Sequence, residues 1–171
     1  MTTTYTGTSA SESIQPGDVS STVSHTFLGS FSGSDLLLGN GGNDTLDGGD
    51  GGDTLKGGNG IDELVVGQDD EAFGGKGSDD FDLANDGPAT LHGGDGEDWL
   101  DIFGDRDLTE LSIESIAGLT FGYDRSIPVD TDPDFGSFSH YGATLYMSQL
   151  ADFTTVYSGE GGSGDLTTRT R

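Results

Sequence analysis

The chain has 171 residues, of which 31 are Asp or Glu and only 6 are Lys or Arg, giving a formal net charge of -25. Hydrophobic residues make up 30% while 31 positions are Gly, so the chain lacks the apolar content that offsets chain entropy in a conventional globular core. Nucleic acid and anionic lipid are excluded as partners, because both are recognised through Lys and Arg; the charge points to cations.

There is no Cys, which removes disulfides, thiolate metal sites and thiol nucleophiles. Met1 to Tyr5 lacks the basic and apolar regions of a cleaved secretory signal, and no stretch approaches the roughly 18 apolar residues of a membrane span, so no membrane insertion is expected. Residues 1–29 read as an N-terminal arm. Within it, GTSASESI at 7–14 reads as a degraded copy of the repeat that follows, with Glu12 and Ile14 at its key places and Gln15 to Gly29 inserted as a hairpin or loop. A disordered Ser/Thr-rich arm fits the same residues equally well.

From Ser30 the chain falls into nines: SFSGSDLLL, GNGGNDTLD, GGDGGDTLK, GGNGIDELV, then GGKGSDDFD from Gly74 and GGDGEDWLD from Gly93. The register is Gly-Gly-x-Gly-x-Asp-x-apolar-x. Asp35, Asp44, Asp53, Asp62, Asp79 and Asp98 hold the sixth place; Leu37, Leu46, Leu55, Leu64, Phe81 and Leu100 hold the eighth. The first six residues make a turn in which Gly opens backbone angles closed to other residues. The last three make a strand whose eighth residue points inward by the period of two. Two units complete one turn of a flattened right-handed coil, and stacking at about 4.8 Å turns single apolar residues into a continuous ladder. Asp35 then faces Asp53, and Asp44 faces Asp62. Carboxylates stacked that closely repel unless a cation lies between them, and an all-oxygen donor set suits calcium better than zinc or copper.

These repeats resemble the calcium-binding nonapeptides of the RTX (repeats-in-toxin, hemolysin-type) proteins, on GNGGNDTLD, GGDGGDTLK, GGNGIDELV and GGDGEDWLD. The resemblance covers about residues 30–107 and implies an all-β fold, a right-handed parallel β-roll (β-solenoid) with several Ca2+ ions in its turns. It also implies export from Gram-negative bacteria through type I secretion machinery, hence a secreted, extracellular or cell-surface location. The candidate metal residues are Asp35, Gly39, Gly41, Asn43, Asp44, Gly48, Asp50, Asp53, Gly57, Asn59, Asp62, Glu71, Gly75, Gly77, Asp79, Gly94, Gly96 and Asp98. Two units depart from the pattern. VGQDDEAF at Val66 is one residue short, with Glu71 at the acidic place and Phe73 at the apolar place; LANDGPATLH at Leu83 is one residue long, with Pro88 and Ala89 near the acidic place. The edge carrying Glu71 is therefore expected to bind calcium more weakly than the Asp44, Asp62, Asp79, Asp98 edge; Asp107 is a weaker candidate of the same kind.

Residues 108–157 are richer in apolar residues and read as a β-rich cap for the open end of the coil. Within them, Asp130, Asp132 and Asp134 alternate as in a calcium loop. An EF-hand would place Gly directly after the third acid and Glu at the twelfth place, where this chain has Phe135 and Tyr141; an acidic surface loop is expected. Residues 158–171 read as a flexible tail whose composition fits a type I signal up to Thr168.

No His-Glu-x-x-His helix and no Gly-x-Ser-x-Gly elbow occurs, and His25, His92 and His140 are scattered. Paired acids do glycosidase work only in a walled cleft, so no enzyme is expected and Trp99 is assigned to an outer face or a neighbour. The sequence therefore reads as a non-catalytic, calcium-binding secreted module. The competing readings are a surface-layer or adhesive protein with calcium-mediated self-association, and the C-terminal remnant of a larger secreted enzyme.

Overall fold

A computed structural model of the chain describes residues 2–25, 31–103, 110–122 and 155–158. Among them all regular structure is β. The N-terminal segment forms β1 (Thr4–Thr6), β2 (Ser13–Gln15), β3 (Asp18–Val19) and β4 (Ser24–His25). The repeats supply β5 (Leu36–Gly41), β6 (Thr45–Asp47), β7 (Thr54–Asn59), β8 (Glu63–Val66), β9 (Glu71–Lys76), β10 (Asp80–Leu83), β11 (Ala89–Asp95) and β12 (Trp99–Phe103). β13 (Leu111–Glu114), β14 (Gly118–Gly122) and β15 (Thr155–Ser158) follow.

From β7 to β12 each strand pairs in parallel with the strand two before it and the strand two after it, while β5 and β6 pair with β1 and β2, so odd and even repeat strands build separate sheets. The register carries like onto like: Leu37 lies beside Leu55 and Leu55 beside Ala72, while Leu46, Leu64, Phe81 and Leu100 form the matching row. These inner side chains are completely buried. The result is the expected parallel β-roll, with a core about one residue deep on each sheet that becomes stable only when coils stack. Where β8, β10 and β12 run longer, Val66, Leu83 and Ile102 add a second buried place.

The coil starts before residue 30. Tyr5 pairs with Leu37 and Ile14 with Leu46, so β1 and β2 are its first coil. The insertion after Gln15 turns back: β3 runs antiparallel to β2 and β4 antiparallel to β1, which covers the outer edge of both sheets at this end. Toward the other end, β13, β14 and β15 continue the sheets in parallel, so these strands extend the roll. Asp107, the Asp130 to Asp134 loop, most of the expected cap and the 159–171 part of the tail lie outside the described residues.

Candidate metal sites

The turns between strands stack into two columns, one along each edge of the roll. In the first, the amide of Thr3 donates to Asp35 Oδ1 at 2.8 Å, that of Asp35 to Asp53 Oδ1 at 2.7 Å, and that of Asp53 to Asp70 Oδ1 at 2.7 Å. In the second, Glu12 donates to Asp44 Oδ1 at 2.8 Å, and Asp44, Asp62 and Asp79 donate in turn to Asp62, Asp79 and Asp98, each at 2.9 Å. Each carboxylate thus takes the amide of the residue at the same place one coil earlier. This one-way ladder explains why the acidic side chains turn inward: all of them, from Asp35 to Asp98, are at most 4% exposed.

Only one oxygen is used in this way. The Oδ2 atoms of Asp35, Asp44, Asp53, Asp62, Asp79 and Asp98 are buried with no hydrogen-bond partner. Burial pushes the carboxyls of Asp44, Asp53 and Asp79 up to about 6; neighbouring acids of the same column push the same way and the amide bond only partly opposes them. Asp62 and Asp98 are raised by the same burial. Unpaired buried polar atoms are rare and call for an explanation.

The first-place glycines border these free oxygens. A Cβ built on Gly39 would overlap Asp44 Oδ2 and come within 2.6 Å of the Gly57 carbonyl oxygen of the next coil. At Gly74 it would meet Asp79 Oδ2 at 2.5 Å and the Gly93 carbonyl oxygen at 2.7 Å. A carboxylate oxygen and a carbonyl oxygen from successive coils therefore flank one spot that only glycine leaves open. Among the described residues no three acidic or His side chains converge on a point; the donor set is one carboxylate oxygen with backbone carbonyls. Such a set fits a hard cation with oxygen ligands and offers nothing to zinc or copper.

The register corrects several sequence assignments. Asp70, not Glu71, stands in the carboxylate column, since Thr54 pairs with Glu71 and Leu55 with Ala72. Glu71 is exposed on the outside of its sheet, Ala72 takes the inner place, and Phe73 lies outside, stacked on His92 with ring centroids 4.6 Å apart and Lys56 Nζ 5.2 Å from its own centroid. The residue missing from this unit is missing before the carboxylate, from the turn, whereas the apolar Phe73 drew the sequence reading one place too far. In the last two regular turns Gly74 and Gly93 correspond to Gly39 and Gly57, because Gly58 pairs with Gly75 and Gly75 with Gly94. Gly75, Gly77, Gly94 and Gly96 occupy the second and fourth places, at positive φ, and shape the turn. Gly41 and Asn59 pair at the third place, with Lys76 and Asp95 following them in the column. Asn43 Oδ1 accepts from the amide of Ile61 at 3.0 Å, Asp50 is exposed, and Gly48 lies against its own Asp53 carboxylate. Ala89 falls next below Asp70, as its unit suggests, and leaves the sixth place of that turn without a carboxylate.

Elsewhere, His92 Nδ1 lies 3.0 Å from Glu114 Oε2 on the outer face, and the Trp99 ring covers Gly118 of the neighbouring strand. Neither pairing assembles a nucleophile with a base. Comparison with known proteins agrees with the turn geometry: residues 30–64 and 83–101 match the family model of the RTX calcium-binding nonapeptide repeat, in 4 copies. No curated protein and no solved structure matches the chain. The stretch between the matched segments still contains Asp79, in the same column and register as its neighbours.

Proposed function

The chain carries RTX calcium-binding nonapeptide repeats wound into a parallel β-roll, and from this premise we propose that it is a non-catalytic module whose folding is driven by calcium outside the cell. The observation that carries this reading is the set of 6 buried Asp Oδ2 atoms with no partner. Each such oxygen costs on the order of 1–3 kcal/mol, and more when charged. Together they rival the roughly 5–15 kcal/mol by which a whole domain is stable. A metal-free roll at neutral pH is accordingly a poor competitor of the unfolded chain.

Asp44, Asp62, Asp79 and Asp98 would hold ions along one edge, with the first-place carbonyls of the following coils; Asp35 and Asp53 would do so on the other. Bound calcium supplies positive charge to the oxygens that the protein leaves unpaired. Extracellular modules bind calcium at about 0.1–1 mM, so the acids repel one another in calcium-poor cytoplasm and keep the chain loose for type I export. Binding and folding are then one event.

The test is a calcium titration of the full chain followed by far-UV circular dichroism and light scattering. A β signal absent in chelator should appear cooperatively between about 0.1 and 1 mM calcium, in a particle that compacts and stays monomeric. A chain equally ordered in chelator overturns the folding mechanism, and ordered oligomers formed with calcium would favour the self-associating reading.

A further inference from the structure

Eight carboxylates stand in the two turn columns, but only 6 leave an oxygen free, and the other two are Glu12 and Asp70. Both are buried as deeply as the rest, at 4% and 3% exposure. Glu12 fills its turn from within: Oε2 accepts the Thr8 amide and Oε1 the Thr8 hydroxyl, both at 2.7 Å. Its extra methylene, relative to Asp, carries the carboxylate across to the start of the turn, where it lies against Gly7 as Asp44 Oδ2 lies against Gly39. Asp70 reaches the same end by a shorter turn. Gly67 donates to its Oδ2 at 2.6 Å while Asp53 occupies its Oδ1.

We infer that Glu12 and Asp70 close their turns with protein donors and hold no calcium. This rests on the reading of the open Asp turns as calcium sites. The donor is in both cases the amide of the second-place residue, Thr8 after Gly7 at Glu12 and Gly67 after Val66 at Asp70. In each case an N–H points at the oxygen that a cation would need, and a cation cannot share a site with an inward-pointing amide hydrogen. With Ala89 next in the column, ions occupy that edge at Asp35 and Asp53 and stop. The opposite edge carries the unbroken run Asp44, Asp62, Asp79, Asp98, which begins directly below the metal-free Glu12 turn. The load is lopsided, and the first coil needs no ion of its own.

The experiment counts calcium bound per folded chain at saturation, by equilibrium dialysis with elemental analysis and by isothermal titration calorimetry. It compares the full chain with Glu12→Gln, Asp70→Asn, Asp62→Ala and Asp98→Ala. Glu12→Gln and Asp70→Asn should bind as many ions as the parent, whereas Asp62→Ala and Asp98→Ala should each lose ions. A lost ion in Glu12→Gln or Asp70→Asn overturns the inference. A parent chain that binds no calcium overturns the functional reading first, and the two failures are thereby distinct. Should Asp70→Asn not fold, the parent loaded with cadmium-113 reports directly: on forming the folded state, the Glu12 and Asp70 carboxyl carbons should show no coupling to the metal, and coupling at either would overturn the inference.

Discussion

Asp44, Asp53 and Asp79 determine how the metal-free chain responds to acid. Their carboxyls titrate at about 6 in the roll and at about 4 in an unfolded chain. Between those values the roll binds more protons than the unfolded chain does, so protonation stabilises it. That contribution is complete below the unfolded value and is lost as pH rises through about 6. In chelator, acidification from about pH 7 to about pH 5 should therefore increase β structure. With calcium present the sign reverses, because protons compete for the same oxygens and the calcium midpoint should climb below about pH 6. Circular dichroism across this range, with and without calcium, checks both arms; a shift of the same sign in both would contradict the assignment. Gly77 gives a second residue-level prediction. Its φ is 139° and a Cβ would overlap the Gly60 carbonyl oxygen one coil earlier. Gly77→Ala should cost roughly 1–3 kcal/mol, read as a higher calcium midpoint with unchanged β content at saturation.

At the level of the strand, β9 and β10 separate two phenylalanines that look alike in sequence. Phe81 is wholly buried in the inner row, while Phe73 lies on the outer face against His92 and Lys56. Phe81→Ala should cost about 3–5 kcal/mol, whereas Phe73→Ala, at a half-buried outer place, should cost less, about 0.5–1.5 kcal/mol for its aromatic contact. Urea unfolding at saturating calcium measures both, and the reverse order would mean that β9 is misregistered. This pair also shows what the sequence could reveal. Where the spacing of nine holds, as from Asp35 to Asp62, each acid and each inner Leu is legible, because turn and strand have separate residue preferences that repeat in phase. Where a unit is one residue short, the sequence does not say on which side of the acid the residue was lost. The apolar Phe73 argued for one side, and the buried Asp70 carboxylate, with donors waiting at Asp53 and Gly67, decided for the other. Glu12 was legible as a degenerate place, but its partner Thr8 was not, since a six-residue turn brings the two together only once folded.

At the scale of the whole molecule, a roll of parallel strands has two ends, and exposed strand edges invite pairing between chains. Here β3 and β4 cover the first coil, and the amide of Ser20 donates to the Ser13 carbonyl at 2.9 Å to hold β3 in place. Ser20→Pro removes that donor. In calcium it should leave the far-UV signal almost intact yet produce concentration-dependent association, seen by light scattering, where the parent stays monomeric; a monomeric variant would show that β3 does not protect this edge. The amide-to-carboxylate ladder has a different consequence. Each Asp reads only the residue one coil above it, and every link is the same pair of atoms. Chain length is therefore not written into any contact. Excising residues 36–53 would bring Asp62 beneath Glu12 and Asp70 beneath Asp35, with each acid meeting an equivalent amide. Such a roll can gain or lose whole coils by duplication and deletion, keeping its architecture while its capacity for ions changes in steps.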